Sequence, residues 1–296
     1  MHVIRPVGLS IASTTAVDAH AQWAPGATYP LGAKVSRLGS VYISSINGNA
    51  GLPPENEVQE LEGARWIYVS ATNTQALIDG SPSVHTSGAS PLVVEIDVDG
   101  PFDSVALFQL DCASCLIESV DGSGVVTSSE TITNGAEPVA DWLAWLNTIF
   151  YRNTRRHIVH VSGFATHKVR LTIEGPAPSI GEVVIGRAKR IGTTLMERST
   201  RVDRRTFTKI ATNDFGVTTV QKRAIARDAT YQVHAKREGF EHIERLLDDL
   251  DGIRVVTFAV EDDWPQLVNI GFITDYSLPA ELPDDFFFSV TTQGVS

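Results

Sequence analysis

Between positions 23 and 66 the sequence reads Trp23-x5-Tyr29-x2-Gly32-x2-Val35-x3-Gly39-x-Val41-Tyr42, followed by Asn47, Gly51, Pro53, Pro54 and Trp66. Aromatic residues and glycines at such short intervals predict a very small β-domain in which tight turns hold the rings against each other. A domain of this size has too few residues for an ordinary aliphatic core. The aromatic side chains of the pattern are therefore expected to serve mainly as its core.

The spacing resembles the compact chitin-binding-type carbohydrate-binding modules, whose pattern runs Trp, Tyr-x-x-Gly-x-x-Val, Gly-x-x-Tyr, Asn-x-Gly-x-x-Pro, Trp. The resemblance covers about a sixth of the chain. It implies a β-module with Trp23 and Tyr42 as candidate glycan-binding residues, because sugar rings stack on flat aromatic faces. The chain departs from the family at Ile43-Ser44-Ser45-Ile46-Asn47, which holds no platform aromatic. This departure favours a module kept for assembly, with its sugar site lost.

The rest of the chain has the composition of a mainly β protein, with short runs of Val, Ile and Thr between Gly, Pro, Asn and Asp. We expect three parts. Residues 1–72 form an N-terminal arm and the small module, and the arm, 10–21, is predicted to pack on a neighbouring molecule. Residues 73–178 form a jelly-roll-like β-sandwich. Its predicted strands are Leu92–Val98, Ser104–Leu110, His157–Val161 and Lys168–Ile173.

The third part, residues 179–296, is predicted to be an antiparallel β-domain covered by one helix, an α+β arrangement. The helix is expected over Glu238–Leu250, because its apolar residues recur at intervals of three and four. Asn213-Asp214-Phe215-Gly216 has the chemistry of a hairpin turn. The strands of this part are predicted at Ile180–Gly186, Arg205–Ile210, Val217–Val220, Ile253–Phe258, Leu267–Phe272 and Phe286–Val290.

The three parts in this order resemble a class of tailed-bacteriophage tail proteins, in which a small carbohydrate-module-like head leads into a jelly roll. The segment Ile180–Ser296 looks like their C-terminal tail-tip or baseplate domain. The resemblance implies a homo-oligomeric structural protein of the virion tail tip, made in the host cytoplasm. Its partners would be other tail or baseplate proteins, with host surface polysaccharide as a further contact.

The net charge of −11 argues against nucleic acid as a principal partner. The charge is uneven, since the segment Arg187–Arg245 carries fourteen basic and seven acidic side chains. Solvated strand faces explain this pattern, and so does a protomer whose basic part meets an acidic part of a neighbour. The start of the sequence lacks a signal-peptide pattern, and no apolar run is long enough to insert in a membrane.

Trp142 and Trp145 lie three apart in a predicted short helix, Asp141–Leu146. Core or inter-domain packing is the favoured role, and a sugar platform is the alternative. Carbohydrate recognition by Trp23, Tyr42, Trp142 or Trp145 is therefore the first rival function.

Catalytic motifs are not found in the sequence, so we expect no enzyme and no cofactor. Acidic clusters at Asp248-Asp249-Asp251, Glu261-Asp262-Asp263 and Asp284-Asp285 are read as solvated turns and helix ends. A carboxylate pair among them would make a polysaccharide-degrading enzyme, the second rival. Cys112 and Cys115 are expected to be buried thiols, and no metal site is predicted. Zinc completed by His157 and His160, and calcium at Asp97–Asp103, are the alternatives.

Overall fold

The computed structural model describes residues 1–56, 63–134, 141–147, 156–196, 200–212, 214–216, 218–223, 225–259, 265–279 and 284–295. The strands within these ranges are β1 (His2–Pro6), β2 (Gly8–Thr14), β3 (Thr28–Tyr29), β4 (Lys34–Arg37), β5 (Ser40–Ser44), β6 (Asn49–Ala50), β7 (Trp66–Ala71), β8 (Thr86–Ser87), β9 (Leu92–Asp99), β10 (Ser104–Phe108), β11 (Ser114–Val120), β12 (Val126–Thr133), β13 (Arg156–Val159), β14 (Lys168–Glu174), β15 (Ser179–Ile180), β16 (Glu182–Arg190), β17 (Thr193–Thr194), β18 (Arg201–Thr206), β19 (Lys209–Thr212), β20 (Thr218–Gln221), β21 (Ile225–Lys236), β22 (Arg254–Phe258), β23 (Asn269–Ser277) and β24 (Asp285–Gly294). The α-helices are α1 (Trp142–Asn147) and α2 (Phe240–Asp248), and short 3-10 turns cover Pro54–Asn56, Ala76–Ile78, Arg237–Gly239 and Pro265–Leu267.

Two antiparallel sheets make up most of the molecule. The large sheet has the strand order β13-β10-β16-β1-β22-β23-β24-β21-β17, and β18 also pairs with β21. The five-stranded sheet has the order β12-β11-β14-β9-β2. A mainly β fold is therefore confirmed.

The five-stranded sheet packs against the β13-β10-β16 end of the large sheet and forms a sandwich. Alternate residues of each strand point into the space between them, as the period of two requires. Ile96 of β9 and Leu171 of β14 share one buried cluster with Leu107 of β10 and Ile185 of β16. The core is thus continuous between the two sheets.

Helix α2 covers the other end of the same face of the large sheet. Leu246 and Leu247 lie in a cluster with Val3, Val255 and Phe288. Val3 of β1 pairs with Lys189 of β16, and Lys189 lies four residues after Ile185, on the same face of that strand. Helix α2 and the five-stranded sheet therefore cover the same face of the large sheet. The helix predicted from its apolar periodicity is confirmed, and Gly252 after it has φ 67°.

The small module contains the three-stranded sheet β4-β5-β7 and the pair β3-β6. The turn glycines of the sequence pattern have left-handed backbone conformations, with φ of 82° at Gly32, 78° at Gly39 and 84° at Gly51. Only glycine adopts such angles without steric cost. The prediction that tight turns organise this module is confirmed at these three positions.

Strand pairing joins segments that lie far apart in the sequence. The large sheet contains β1, β10 and β16, which come from all three of the predicted parts. The predicted arm, residues 10–21, pairs within its own chain along its first half, because β2 lies beside β9. Leu9 and Ile11 of β2 contact the sandwich core. Packing of this segment on a neighbouring molecule stays a prediction.

The strands predicted around β9, β10, β13 and β14 are confirmed, as is the short helix at α1. Strands β11 and β12 were not predicted. β12 is mostly exposed and rich in Ser and Thr, so it lacks the apolar alternation that marks a strand. The predicted cluster Glu261-Asp262-Asp263 lies outside the described residues.

Candidate functional site

Trp66 is the core of the small module. Its side chain is fully buried, and its indole Nε1 donates a hydrogen bond to the Leu52 carbonyl at 3.2 Å. The Tyr29 ring meets it edge-on, with 5.3 Å between ring centroids. These two aromatics are therefore occupied as packing, as the pattern predicted.

Trp23 is half-buried and covered on one face by a cation. The Arg37 guanidinium lies 4.4 Å from the centroid of the indole. Arg37 is held there by Glu55, since its Nε donates to Oε1 at 2.7 Å. A sugar stacking on this face would have to displace an arginine that is already paired. The arrangement favours a structural role for Trp23.

Tyr42 is half-buried on β5, directly opposite Tyr68 on β7. The two rings meet edge-on at 6.1 Å, and Tyr68 is 40% exposed. Burial, the Asp79 carboxylate and Tyr42 together raise the pKa of Tyr68. The sequence pattern did not single out Tyr68, although its position two residues after buried Trp66 places it on the same strand face.

Trp142 is 75% exposed on α1, and Leu143 and Leu146 beside it are also exposed. The favoured expectation that Trp142 is packed was therefore wrong. Trp145 lies in the same helix, but its side chain is outside the described set. Among the described residues, no ring contact joins Trp142 to Trp23 or Tyr42. The four sequence candidates do not form one described binding surface.

A β-hairpin arm, residues 201–225, projects from the end of the large sheet. β18 pairs with the start of β21, and further out β19 and β20 pair with each other. Within the described part of the chain, neither β19 nor β20 pairs with any other strand. The described residues between 209 and 223 are all exposed, and Phe215 at the tip is 91% exposed.

Polar contacts fix the root of the arm. Arg205 Nη2 donates to Asp228 Oδ1 at 3.2 Å and to the Gly294 carbonyl at 3.0 Å. The Gly294 amide donates to the same Asp228 oxygen at 3.0 Å. A Cβ at Gly294 would collide with the Arg227 carbonyl. The arm is therefore anchored at its base by β24, while the described residues of its outer half are exposed.

A cavity of about 460 Å³ lies between the large sheet and the root of the arm. Its lining includes Arg156, Arg223, Arg227 and His85, and no Asp or Glu is among its described residues. Asn269 also lines it, and its Nδ2 is buried without a hydrogen-bond partner. A cationic cavity suits contact with an acidic group better than hydrolysis by a carboxylate pair.

A second hollow, which we call the notch, lies between α2 and β23 and has a volume of about 490 Å³. Asp248, Asp251 and Asp275 line it, above the buried side chains of Leu247 and Ile273. The Tyr276 hydroxyl, which also lines the notch, donates to Asp248 Oδ1, and this bond raises the pKa of the tyrosine. The notch combines negative charge with an apolar floor.

The zinc and calcium alternatives depend on the positions of their candidate ligands. Within the part of the chain that the structure describes, no group of three or more His, Cys, Asp or Glu side chains is placed to hold a metal ion. At the calcium candidate, Asp97 pairs with Lys168 at 3.4 Å, and Asp103 accepts from the Ala188 amide at 2.7 Å.

Cys112 and Cys115 are buried thiols that are not joined in a disulfide, as expected, and burial raises the pKa of Cys115 to about 12. A thiol with so high a pKa stays protonated at neutral pH and is a poor metal ligand or nucleophile.

Comparison with known proteins yielded no relative: no family model, curated protein or solved structure matches this chain. In the described ranges, no helix has the length and apolar character needed to cross a membrane.

Proposed function

We propose that this chain is a non-enzymatic structural protein of a bacteriophage tail tip or baseplate, which works by assembling with other tail proteins as a homo-oligomer. The observation that carries the proposal is the arm. Four of its apolar residues are exposed to solvent: Phe207, Ile210, Phe215 and Val220. Uncovered apolar surface of this kind marks protein interaction sites.

The arm is a poor candidate for an independent element. An isolated two-stranded hairpin is only marginally stable in water. Here the body supports the root through Arg205 and Asp228, whereas the outer strands β19 and β20 pair, in the described part of the chain, with each other alone. A neighbouring subunit would supply the missing contacts in an assembled particle.

Two acidic clusters support the non-enzymatic reading. Asp285 lies 3.3 Å from the His234 imidazole, and it lines a hollow together with Lys236 and Arg237. Asp248 accepts from the Tyr276 hydroxyl. Glycoside hydrolysis needs one carboxyl group with a raised pKa facing a second carboxylate across a substrate cleft. These carboxylates instead have basic or hydroxyl partners.

The phage tail is proposed from the family resemblance of the sequence, and particle composition tests it. Purified phage particles would be examined by mass spectrometry, and intact particles by gold-labelled antibody against this chain. The proposal predicts several copies per particle and label at the distal end of the tail. A chain found free in the lysate and missing from particles would overturn it.

Carbohydrate binding is the second candidate, favoured by the exposed Trp142 and the half-exposed pair Tyr42 and Tyr68. Titration with chitin fragments and with host polysaccharide, followed by tryptophan fluorescence, tests it. Saturable quenching that is lost in Trp142→Ala or Tyr68→Ala supports an adhesin, with Leu143→Ala as the exposed apolar control. Release of reducing ends, abolished by Asp275→Asn, would instead establish a hydrolase.

A further inference from the structure

The outer arm presents both apolar and cationic side chains to solvent. Ile210 and Val220 are directly opposite each other in the β19–β20 pair and are both exposed. Lys209, opposite Gln221, and Lys222 are exposed beside them. From the last β18–β21 pair to the tip, the arm extends about 25 Å at the usual rise of a strand. An occupant must therefore cover an elongated surface that is apolar and positively charged.

Charge identifies the occupant. Residues 201–225 contain six basic and two acidic side chains, a net charge of +4. The remainder contains 18 basic and 33 acidic side chains, a net charge of −15. Among the described residues of the arm, Arg201 is paired with Asp203 at 2.8 Å and Arg205 at the root is paired with Asp228 at 3.2 Å. A second copy of the same chain thus offers the opposite charge, and closed symmetric pairing of identical copies is the commonest form of assembly.

The notch is the part of that second copy that fits the arm. Its apolar floor, Leu247 and Ile273, suits an aromatic side chain such as Phe215, and its rim carries Asp251 and Asp275. Asp275 lies opposite Thr291 of β24, and Thr291 lies opposite Thr230 of β21. The notch therefore lies on the body of the molecule, whereas the arm extends away from the body beyond Ile225. The tip of an arm meets a notch when the notch belongs to a second molecule.

We infer that the arm of one copy docks on a second copy of this chain, with the Phe215 tip at the notch beside α2. This inference rests on the proposed function, since it names the partner of the same assembly surface. Contact between positive and negative surfaces steers association and makes it sensitive to salt.

Charge exchange tests the inference. The arm variant carries Lys209→Glu and Lys222→Glu, and the notch variant carries Asp251→Lys and Asp275→Lys. Sedimentation equilibrium would be measured for each chain over a range of salt concentrations. The wild type is expected to self-associate, more weakly at high salt, and each variant to weaken self-association about tenfold or more.

A mixture of the two variants provides the decisive comparison. In the arm variant the outer arm, residues 209–223, changes from a net charge of +2 to −2. In the notch variant two of the three lining aspartates become lysines, so the mixture is expected to regain association. Circular dichroism and thermal unfolding of each variant establish that both are folded. A folded pair that does not regain association overturns the inference, as does a wild type that is monomeric at all concentrations. Retention of the wild type, but not the arm variant, on duplex DNA without self-association also overturns it.

The particle measurement separates this inference from the proposed function. A chain present at the tail tip that is monomeric in solution, or whose self-association is unaffected by charge exchange, overturns the second copy as partner and leaves the tail role standing. A chain that self-associates through arm and notch but is missing from particles overturns the tail role alone.

Discussion

Arg254 and Glu182 form a buried ion pair that ties three separate segments together. Glu182 on β16 is completely buried, and Arg254 on β22 reaches it across the intervening β1. Arg254 also donates a hydrogen bond to the Gly80 carbonyl, in the segment that follows the small module. Burial raises the pKa of Glu182 to about 7, because it outweighs the opposing effect of the Arg254 charge.

The raised pKa makes stability depend on pH. The folded chain binds the Glu182 proton more tightly than the unfolded chain, so this group stabilises the fold fully below its ordinary pKa of 4.5. That contribution is lost as the pH rises through about 7. The difference between a pKa of about 7 and 4.5 corresponds to about 3 kcal/mol.

Replacing Arg254 by Met should be far more costly at pH 8 than at pH 5. At pH 8 the substitution removes the cation that stabilises the charged form of Glu182, so the folded chain must bury an unpaired carboxylate or take up a proton, which costs about 3–5 kcal/mol. At pH 5 Glu182 is protonated, so the loss in free energy of unfolding is only that of the hydrogen bond with Gly80, about 1–2 kcal/mol. Urea unfolding at both pH values measures the two losses.

Matched variants test the cause. Arg245→Met removes an exposed arginine paired with Glu241, and should cost less than about 0.5 kcal/mol at either pH. Glu182→Gln should remove the part of the pH dependence between 4.5 and 7 that this group causes. Equal losses for Arg254→Met at pH 5 and pH 8 would refute the reasoning, as would an unchanged pH profile in Glu182→Gln.

Three further predictions concern the module, the helix and the arm root. Trp66→Ala should destabilise the small module by about 3–5 kcal/mol, visible as loss of its near-ultraviolet circular dichroism, and a cost below about 1 kcal/mol would contradict its core role. Trp142→Ala should change thermal stability by less than about 0.5 kcal/mol, because the ring is exposed; a larger loss would show that it packs. Gly294→Ala should push β24 away from the Arg227 carbonyl and speed amide hydrogen exchange at the arm root, and unchanged exchange would rule out that close contact.

The sequence predicted features that depend on neighbours in the chain. The helix α2 followed from apolar residues at intervals of three and four, and the module turns followed from Gly32, Gly39 and Gly51. Each of these signals is local, because it reflects backbone geometry or one amphipathic face.

Long-range pairing could not be predicted in the same way. The pairing of β2 with β9 joins residues about 85 positions apart, and nothing in the Ser- and Thr-rich sequence of β2 encodes that register. Glu182 opens a strand at the boundary predicted for the third part, and a charged residue there reads as solvent-exposed until tertiary contacts are known. The exposed position of Trp142 was missed because apolar spacing does not distinguish a buried face from an uncovered one.

The most direct test of an assembly role is removal of the arm. Residues 208–223 would be replaced by Asn-Gly, which closes a two-residue hairpin on the β18–β21 pair. The shortened chain is expected to fold, with the same thermal unfolding of its body, and to be missing from phage particles assembled in a host that supplies it in place of the full chain. Particles that incorporate the folded, shortened chain at the normal level would contradict the account.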